Sequence, residues 1–537
     1  MESALHFLSS IPWWTWPILF FVVVAVYDIS QKTHTIKHNF PVIGRLRYWI
    51  ETVGPEFRQY IVANNREELP FNRRSRSWIY ASSKRENNFQ GFGSDQDMNS
   101  AGYIFIKPAL LTKRLPKNHP YRENPYTLPS AKVIGLSHNR KKPYRPKQVI
   151  NVSGMSFGSL SGAAVEALNK GVAKFGCYHN TGEGGFSPYH NHGGDVVLNI
   201  GTAYFGIRDD EGNFVMSKLI QLTQKNPSIR MIELKLSQGA KPGKGGVLPG
   251  SKITKEIAEI RHVPIGKDVI SPAAHSAFSN IPEMLDFIEA MAEATGLPVG
   301  IKAAVGKLEM WEDLVQRMVE TGRGPDFITI DGGEGGTGAA PPSFADHVSL
   351  PWIYGFSNVY KIFKKHHLTD RITFIGSGKL GLPDQAIMAF AMGVDVINVA
   401  REAMLSIGCI QAQVCHTNRC PTGVATQNKW LQSGLDPTLK SERFYNYAKT
   451  LTKEMLEISI ACGHEHPCQF TMDDVDVAMG DNNHTRPLSV AYDYQKDPVP
   501  FENIETLINC PYLGGRNRLN IRYLNSSYGR NDRLWLE

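Results

Sequence analysis

Cys409, Cys415 and Cys420 lie within a dozen residues, in GCIQAQVCHTNRCPTGVATQ, with five and then four residues between them. Three soft thiolate donors this close, with Pro421 after the last, suit iron–sulfur ligation better than the two-plus-two spacing of structural zinc. Three ligands suggest a three-iron cluster, [3Fe-4S]; the plain alternative is a buried helix that contains cysteines. A second group runs from Asn151 to Ser187, NVSGMSFGSLSGAAVEALNKGVAKFGCYHNTGEGGFS. Its glycines let a flat ligand lie against backbone, and Ser156, Ser159, Asn180 and Thr181 supply hydrogen-bonding groups. Those features fit any nucleotide or cofactor site. A third group comes late, where Gly376, Ser377 and Gly378 follow one apolar run and Ala400 and Arg401 follow the next. Barrels often bind phosphate there, through backbone N–H groups and a cation. Arg401 is read as the phosphate ligand, against the alternative of a surface ion pair.

The elements that must position these residues alternate short β-branched runs with helical patterns, the sign of parallel βα units. The strand candidates are Val149 to Val152, Met231 to Leu236, Val299 to Ala303, Phe327 to Ile330, Ile372 to Ile375 and Val394 to Val399. Between them Ser161 to Phe175, Ile281 to Thr295, Lys307 to Gly322, Asn358 to His367 and Pro383 to Met392 space apolar residues by three and four, as helices do. Glycine-rich turns (GMSFGS, QGAKPGKGG, DGGEGGTGAA, GSGKLG) follow the strand ends. The expectation is α/β, a (β/α)8 TIM barrel whose loops after the strand C-termini make the active site.

The 537 residues are 42% hydrophobic and 20% charged, the composition of a folded chain. A net charge of +7 without a basic run gives nucleic-acid binding little support. Seven cysteines are too sparse for a disulfide scaffold. From Ile11 to Tyr27 (IPWWTWPILFFVVVAVY) no charge occurs, near the lower limit for spanning a bilayer, and Leu5 to Leu8 can extend the run. Trp13, Trp14 and Trp16 at one end and Tyr27 at the other resemble aromatic belts, and Lys32, Lys37, Arg45 and Arg47 follow. No Lys or Arg precedes the run, which disfavours a cleaved signal peptide. The expectation is a single-pass membrane protein with its body in the cytoplasm; the alternative is an apolar helix packed within the protein or in an oligomer contact. The expected organisation is a transmembrane helix in 1–35, a helical cap and connecting arm over 36–147, the barrel with its cysteine segment over 148–430, and a small helical and irregular extension over 431–537.

Taken in order, MSFGSLS, NTGEGG, QGAKPG followed by LPG-x-K-x-T-K-E-I-A, GGTGA and the cysteine segment ending CPTGVATQ resemble the FMN-binding synthase domain of glutamate synthases. The likeness covers about residues 145 to 430 and is greatest to the short, membrane-anchored proteins of that family. It implies FMN in the barrel with a [3Fe-4S] cluster beside it. It further implies that Met155, Ser156, Gly158 and Ser159, continued by Asn180, Thr181 and Glu183, line flavin and substrate. Lys235 and Lys241 would approach the flavin and the 2-oxo acid, and Arg261 would hold a substrate carboxylate. A dicarboxylate suits a bidentate guanidinium and an ammonium. A cation near the flavin favours its anionic reduced form, and Lys302 is a second candidate for that role.

The chain departs from the family's loop KPGEGGQ, with Lys244 at the acidic position and Val247 at the glutamine, and Ser377 stands where an aspartate is usual. The N-terminal cysteine nucleophile that releases ammonia from glutamine has no counterpart before Cys177, and no strand-linked G-x-G-x-x-G occurs. The expected activity is therefore reductive amination of 2-oxoglutarate, or a related 2-oxo acid, by ammonia to L-glutamate. Electrons would come from ferredoxin or a separate reductase, and ammonia from a separate amidotransferase subunit. The alternatives are flavin chemistry on another amine or hydroxy acid, and a membrane-tethered, non-catalytic electron-transfer or redox-sensing subunit. Cys462, Cys468, His464 and His466 in CGHEHPC lack a zinc spacing, His190 and His192 read as loop histidines, and Cys177 reads as a packed thiol.

Overall fold

The structure, a computed structural model, describes residues 12–31, 33–480 and 484–494. Eight parallel strands close into a barrel in chain order: β1 Ile150–Val152, β2 Tyr178–Asn180, β3 Asp195–Ile200, β4 Ile229–Lys235, β5 Val299–Ala303, β6 Phe327–Asp331, β7 Thr373–Ser377 and β8 Val396–Val399. β8 returns to β1, with Val399 opposite Val152. Nearly every strand residue is buried, because helices cover the outside while side chains fill the inside. This is why the strands read as apolar runs without alternation.

Inward-facing residues form layers. The lower layer packs Tyr178, Val197, Met231, Phe327, Ile375 and Val396 with Ile134 and Tyr144 from the preceding arm. That arm closes the N-terminal mouth. Arg140 grips Asp326, just before β6, at 2.9 Å and Glu289 at 2.5 Å, and Tyr144 donates to Asp195 at the start of β3 at 3.0 Å. The C-terminal mouth is left for the loops.

The helices start and stop where the sequence provides caps. Ser161 accepts from Ala164 N at 3.1 Å to open Gly162–Phe175, and Gly176, at φ 83°, ends it. Asn280 caps Ile281–Thr295 in the same way. The long helix Pro437–Ala461 packs on Gly162–Phe175, where a Cβ on Gly171 would come within 2.8 Å of Phe444. Val475–Ala478 joins Ile104–Ile106 and Thr485–Pro487 in a three-stranded antiparallel sheet, so segments on either side of the barrel pair with each other.

Two strands escape the sequence pattern. β2 is three residues of Tyr-His-Asn without an apolar signature, whereas β3, DVVLNI, carries an apolar run that the sequence reading passed over. The transmembrane expectation is corrected. Among the described residues, no helix is long and apolar enough to cross a membrane. The apolar run begins its helix only at Thr15 and ends at Ser30, about 24 Å at 1.5 Å per residue against a hydrocarbon core of about 30 Å. Its last turn carries Asp28, fully buried, which accepts from Val42 N at 3.0 Å and pairs with Arg45 at 2.7 Å. Counting uncharged residues missed this helical hairpin, in which Arg45 is an ion-pair partner. The expected single-pass, membrane-bound localisation falls with the helix. Leu5, Leu8, Ile11 and Lys32 lie outside the described residues. By contact, Met1–Arg74 and Ser75–Glu537 are separate compact units, and the barrel with all candidate site residues belongs to the second.

Candidate active site

A polar layer sits above the apolar one. Glu233 on β4 is buried and accepts from Asn180 on β2 at 2.8 Å, Asn199 on β3 at 2.7 Å and Thr329 on β6 at 2.8 Å. One carboxylate thus ties four strands together just below the C-terminal rim. Asn180 and Thr181 spend their side chains on this bracing. Asn180 Oδ1 also accepts from Gly182 N, and Thr181 Oγ1 accepts from Asn199 N and donates to Gly182 O. Two residues further along the strands, Lys235, Lys302, Asp331 and Ser377 form the rim.

Lys235 Nζ donates to Glu183, which follows β2, at 2.7 Å, and Ser271 donates to the other Glu183 oxygen. Burial alone would raise this carboxyl, but Lys235, Ser271 and Lys241 together hold it down at about 2. Glu183 cannot swing away. A Cβ on Gly201 would meet its Cγ at 2.6 Å and one on Gly246 its Oε2 at 2.8 Å, so backbone encloses it on two sides. Lys241 is buried, donates to Ala339 O at 3.0 Å, and is brought down to about 8 by burial and by the like charges of Lys235 and Lys244. Arg261 ends the helix Lys255–Arg261, is 5% exposed and donates to Phe157 O at 2.7 Å, while its buried Nε has no hydrogen-bond partner. Burial lowers it to about 10, against the pull of Glu183. Gly158 and Gly184 make room for it, since a Cβ on either would approach Nη2 within 2.9 Å. Glu183, Lys235, Gln238, Lys244 and Thr202 line a small cleft that opens to solvent.

Across the rim, Lys302 lies 3.5 Å from Asp331, and Asp331 also accepts from Gly239 N and from Ser377 Oγ, each at 2.9 Å. Burial disfavours the Lys302 cation, yet Asp331 and Glu233 outweigh it and raise its pKa. Ser377, at the usual aspartate position, is thus a donor to Asp331. Next to it Gly376 and Gly378 pack under Leu380 and Trp352, where a Cβ would come within 2.8 and 2.4 Å. Arg401 follows Ala400 at the start of Arg401–Ser406, donates to Glu334 O, and is lowered by burial against the pull of Glu402 and Glu334. Lys379, at φ 58°, is lowered by burial and by Arg401.

Met155 and Ser156 lie in the β1 loop, where Met155 N donates to Asn180 O at 3.0 Å and Ser156 O accepts from Leu160 N. His190 ends the three-residue turn Pro188–His190 in the loop between β2 and β3. It is fully buried, with Nε2 3.0 Å from Met155 O and Nδ1 2.8 Å from Ser187 Oγ, and burial lowers it to about 4. Gly158 O and Leu160 O accept from Gln427 at 3.1 and 2.8 Å, which fastens this loop to the end of the cysteine segment.

Cys409, Cys415 and Cys420 are each within electrostatic reach of the others. Burial pushes the Cys409 thiol up to about 12, and Cys415 is raised by burial and by Cys420. Among the described residues no three His, Cys, Asp or Glu side chains converge to hold a single metal ion. Cys420 is buried and Cys409 and Cys415 are half-buried; three thiols within electrostatic reach of one another are donors of the kind an iron–sulfur cluster takes. The loop is bent for this placement, with Gln411, Gln413 and Asn418 all at positive φ. Elsewhere, His464 lies 3.3 Å from Asp474, His466 spans Cys468 N and Pro129 O, and the buried Cys177 thiol is pushed up by desolvation.

Sequence reasoning missed Asp331, Gln238, Lys379, Lys252, Ser271 and His275. The first three sit inside glycine-rich turns it had already marked. Lys252 stands in the LPG-x-K stretch. Ser271 and His275 lie in SPAAH, some 30 residues beyond Lys241, with no local signal. His275 sits 2.9 Å from Lys235 O and 3.0 Å from Tyr204 Oη, a contact that only the fold creates.

Residues 109–465 match the family described as "Conserved region in glutamate synthase". Over 86% of this chain and 93% of the relative, 39% of residues are identical to a glutamate synthase large subunit-like protein, YerD, of Bacillus subtilis. An archaeal glutamate synthase [NADPH] of Methanocaldococcus jannaschii is 32% identical over 58% of this chain, which spans 59% of that relative. A ferredoxin-dependent glutamate synthase of Pyropia yezoensis is 31% identical over 60% of this chain and 21% of its own length. The barrel, the site loops and these matches together make the chain a member of the glutamate synthase family.

Proposed function

We propose that the chain is an FMN- and iron–sulfur-dependent oxidoreductase that reductively aminates 2-oxoglutarate, or a related 2-oxo acid, to L-glutamate. The observation that carries this reading is the set of cations around one carboxylate at the barrel's C-terminal mouth, where Lys235 pairs with Glu183 at 2.7 Å and the buried Lys241 and Arg261 also act on it. The buried, partnerless Arg261 Nε is a donor kept for a ligand. Arg261 and Lys241 would bind the substrate carboxylates, a guanidinium and an ammonium for two anionic groups. Lys241 Nζ, at about 8, can hold or release a proton near neutral pH.

The residues fit FMN. Gly376, Ser377, Gly378, Ala400 and Arg401 would hold its phosphate. Met155, Ser156, Gly158, Ser159 and Glu183 would form the wall beside its ring, braced from behind by Asn180 and Thr181, with Lys235 and Lys302 as the nearby cations. Bound there, FMN would supply the hydride transfer. Cys409, Cys415 and Cys420 would hold a one-electron [3Fe-4S] carrier. The names of the relatives support ferredoxin or a separate reductase as electron source, and a separate amidotransferase subunit would supply ammonia.

One observation favours a second reading. Lys244 lines the cleft and lies over the Phe344 ring at 5.8 Å, and Val247 is fixed opposite Ile270 in a short strand pair. An added cation and a lost amide suit a different carboxylate-bearing substrate, such as a hydroxy acid or an amino acid whose amine the same flavin oxidises. The test is titration of the FMN-loaded protein with 2-oxoglutarate while recording the flavin spectrum. A saturable change that R261K weakens supports the first reading. Silence with 2-oxoglutarate and a response to a hydroxy acid or amino acid supports the second.

A further inference from the structure

Lys252 ends the turn Gly250–Lys252 and is 2% exposed, among the largest fully buried side chains. Among the described residues no carboxylate pairs with it, and its Nζ donates to Ser159 O at 3.0 Å. A buried ammonium with only a carbonyl partner is costly unless opposite charge lies nearby. Cys415 and Cys420 lie within electrostatic reach of it. The fold pins these parts together, because Asn418, between the two cysteines, donates Nδ2 to Ser251 O at 3.2 Å. Ser159, the other anchor, belongs to the β1 loop that Gln427 fastens to the same segment.

We propose that Lys252 is the built-in counter-charge of the cysteine-held cluster, a fixed cation that favours the cluster's reduced form and so raises its reduction potential. This rests on the cluster reading given above. One electron entering from dithionite adds one negative charge, with no bond made or broken, and a nearby ammonium stabilises that added charge. Lys252 also touches the carbonyl of Ser159, so the same side chain that tunes the cluster positions the loop assigned to the flavin wall.

The test compares the full-length protein with K252Q and K252R, measuring iron content and titrating the cluster's low-temperature EPR signal with dithionite and mediators. Gln keeps a donor for Ser159 O and loses the charge; Arg keeps the charge. The expected result is full iron in all three, a potential near the native one in K252R, and in K252Q a reduction equilibrium constant lower by about tenfold or more, about 59 mV per factor of ten for one electron. Iron retained in K252Q at an unchanged potential overturns the proposal alone. Iron lost from both variants assigns Lys252 to packing and also overturns it. Iron absent from the unaltered protein overturns the cluster reading first, and this proposal with it.

Discussion

Replacing Glu183 by Gln isolates the ion pair at the centre of the cleft. The carboxyl sits at about 2 instead of its ordinary 4.5, which corresponds to roughly 3 kcal/mol of folded-state stabilisation. Its side chain is only 14% exposed, so solvent screens little of this. Gly201 and Gly246 leave it no room to relax. E183Q should therefore cost about 3 kcal/mol near pH 7, in the range for removing one partner of a buried pair, which lowers the Tm by a few degrees. The sign of the pH dependence follows from a depressed pKa. The stabilisation is complete above about 5 and is lost as pH falls, by about 0.8 kcal/mol at pH 4 and about 2 kcal/mol at pH 3. The assay is thermal melting of both proteins from pH 7 to 3. The gap between them should narrow toward acid. A gap that stays constant, or none at pH 7, would refute the argument that this carboxylate is held ionised by Lys235.

Lys241 loses its charge as pH rises through about 8, so the KM for an anionic substrate should climb above that pH, and K244Q, by removing a like charge, should move the break upward; a break unmoved in K244Q contradicts the coupling. Replacing Arg261 by Lys removes the fork and leaves a charge, and should raise KM by about 10- to 100-fold, the loss of one or two charge-assisted hydrogen bonds, as steady-state kinetics would report. C415S should abolish bound iron while FMN stays at one per chain; iron that survives the change argues against Cys415 as a ligand.

The barrel was legible because its long strands, Val299–Ala303 and Phe327–Asp331 among them, are apolar on both faces and end in glycine turns. β2 was not, because Tyr178, His179 and Asn180 owe their strand to neighbours on either side rather than to their own propensity. The membrane helix was misread for a related reason. Hydropathy counts residues, whereas the ion pair between Asp28 and Arg45 depends on a turn that only the folded chain reveals. In the site, the cysteine spacing and the lysines of the β4 loop could be seen in sequence. The partners that set their charge could not, because Ser271, His275, Asp331 and Lys252 are brought to them by closure of the barrel. Asn180 and Thr181 show the converse, polar residues at a promising spacing whose side chains brace Glu233 and the neighbouring loop.

The most direct test of the central claim is anaerobic turnover of the purified, FMN-loaded protein with chemically reduced ferredoxin, 2-oxoglutarate and ammonium, following glutamate and flavin reoxidation together. The account predicts glutamate in step with reoxidised flavin, at a rate that falls in R261K. Flavin that is reduced yet stays reduced in the presence of both 2-oxoglutarate and ammonium would contradict it.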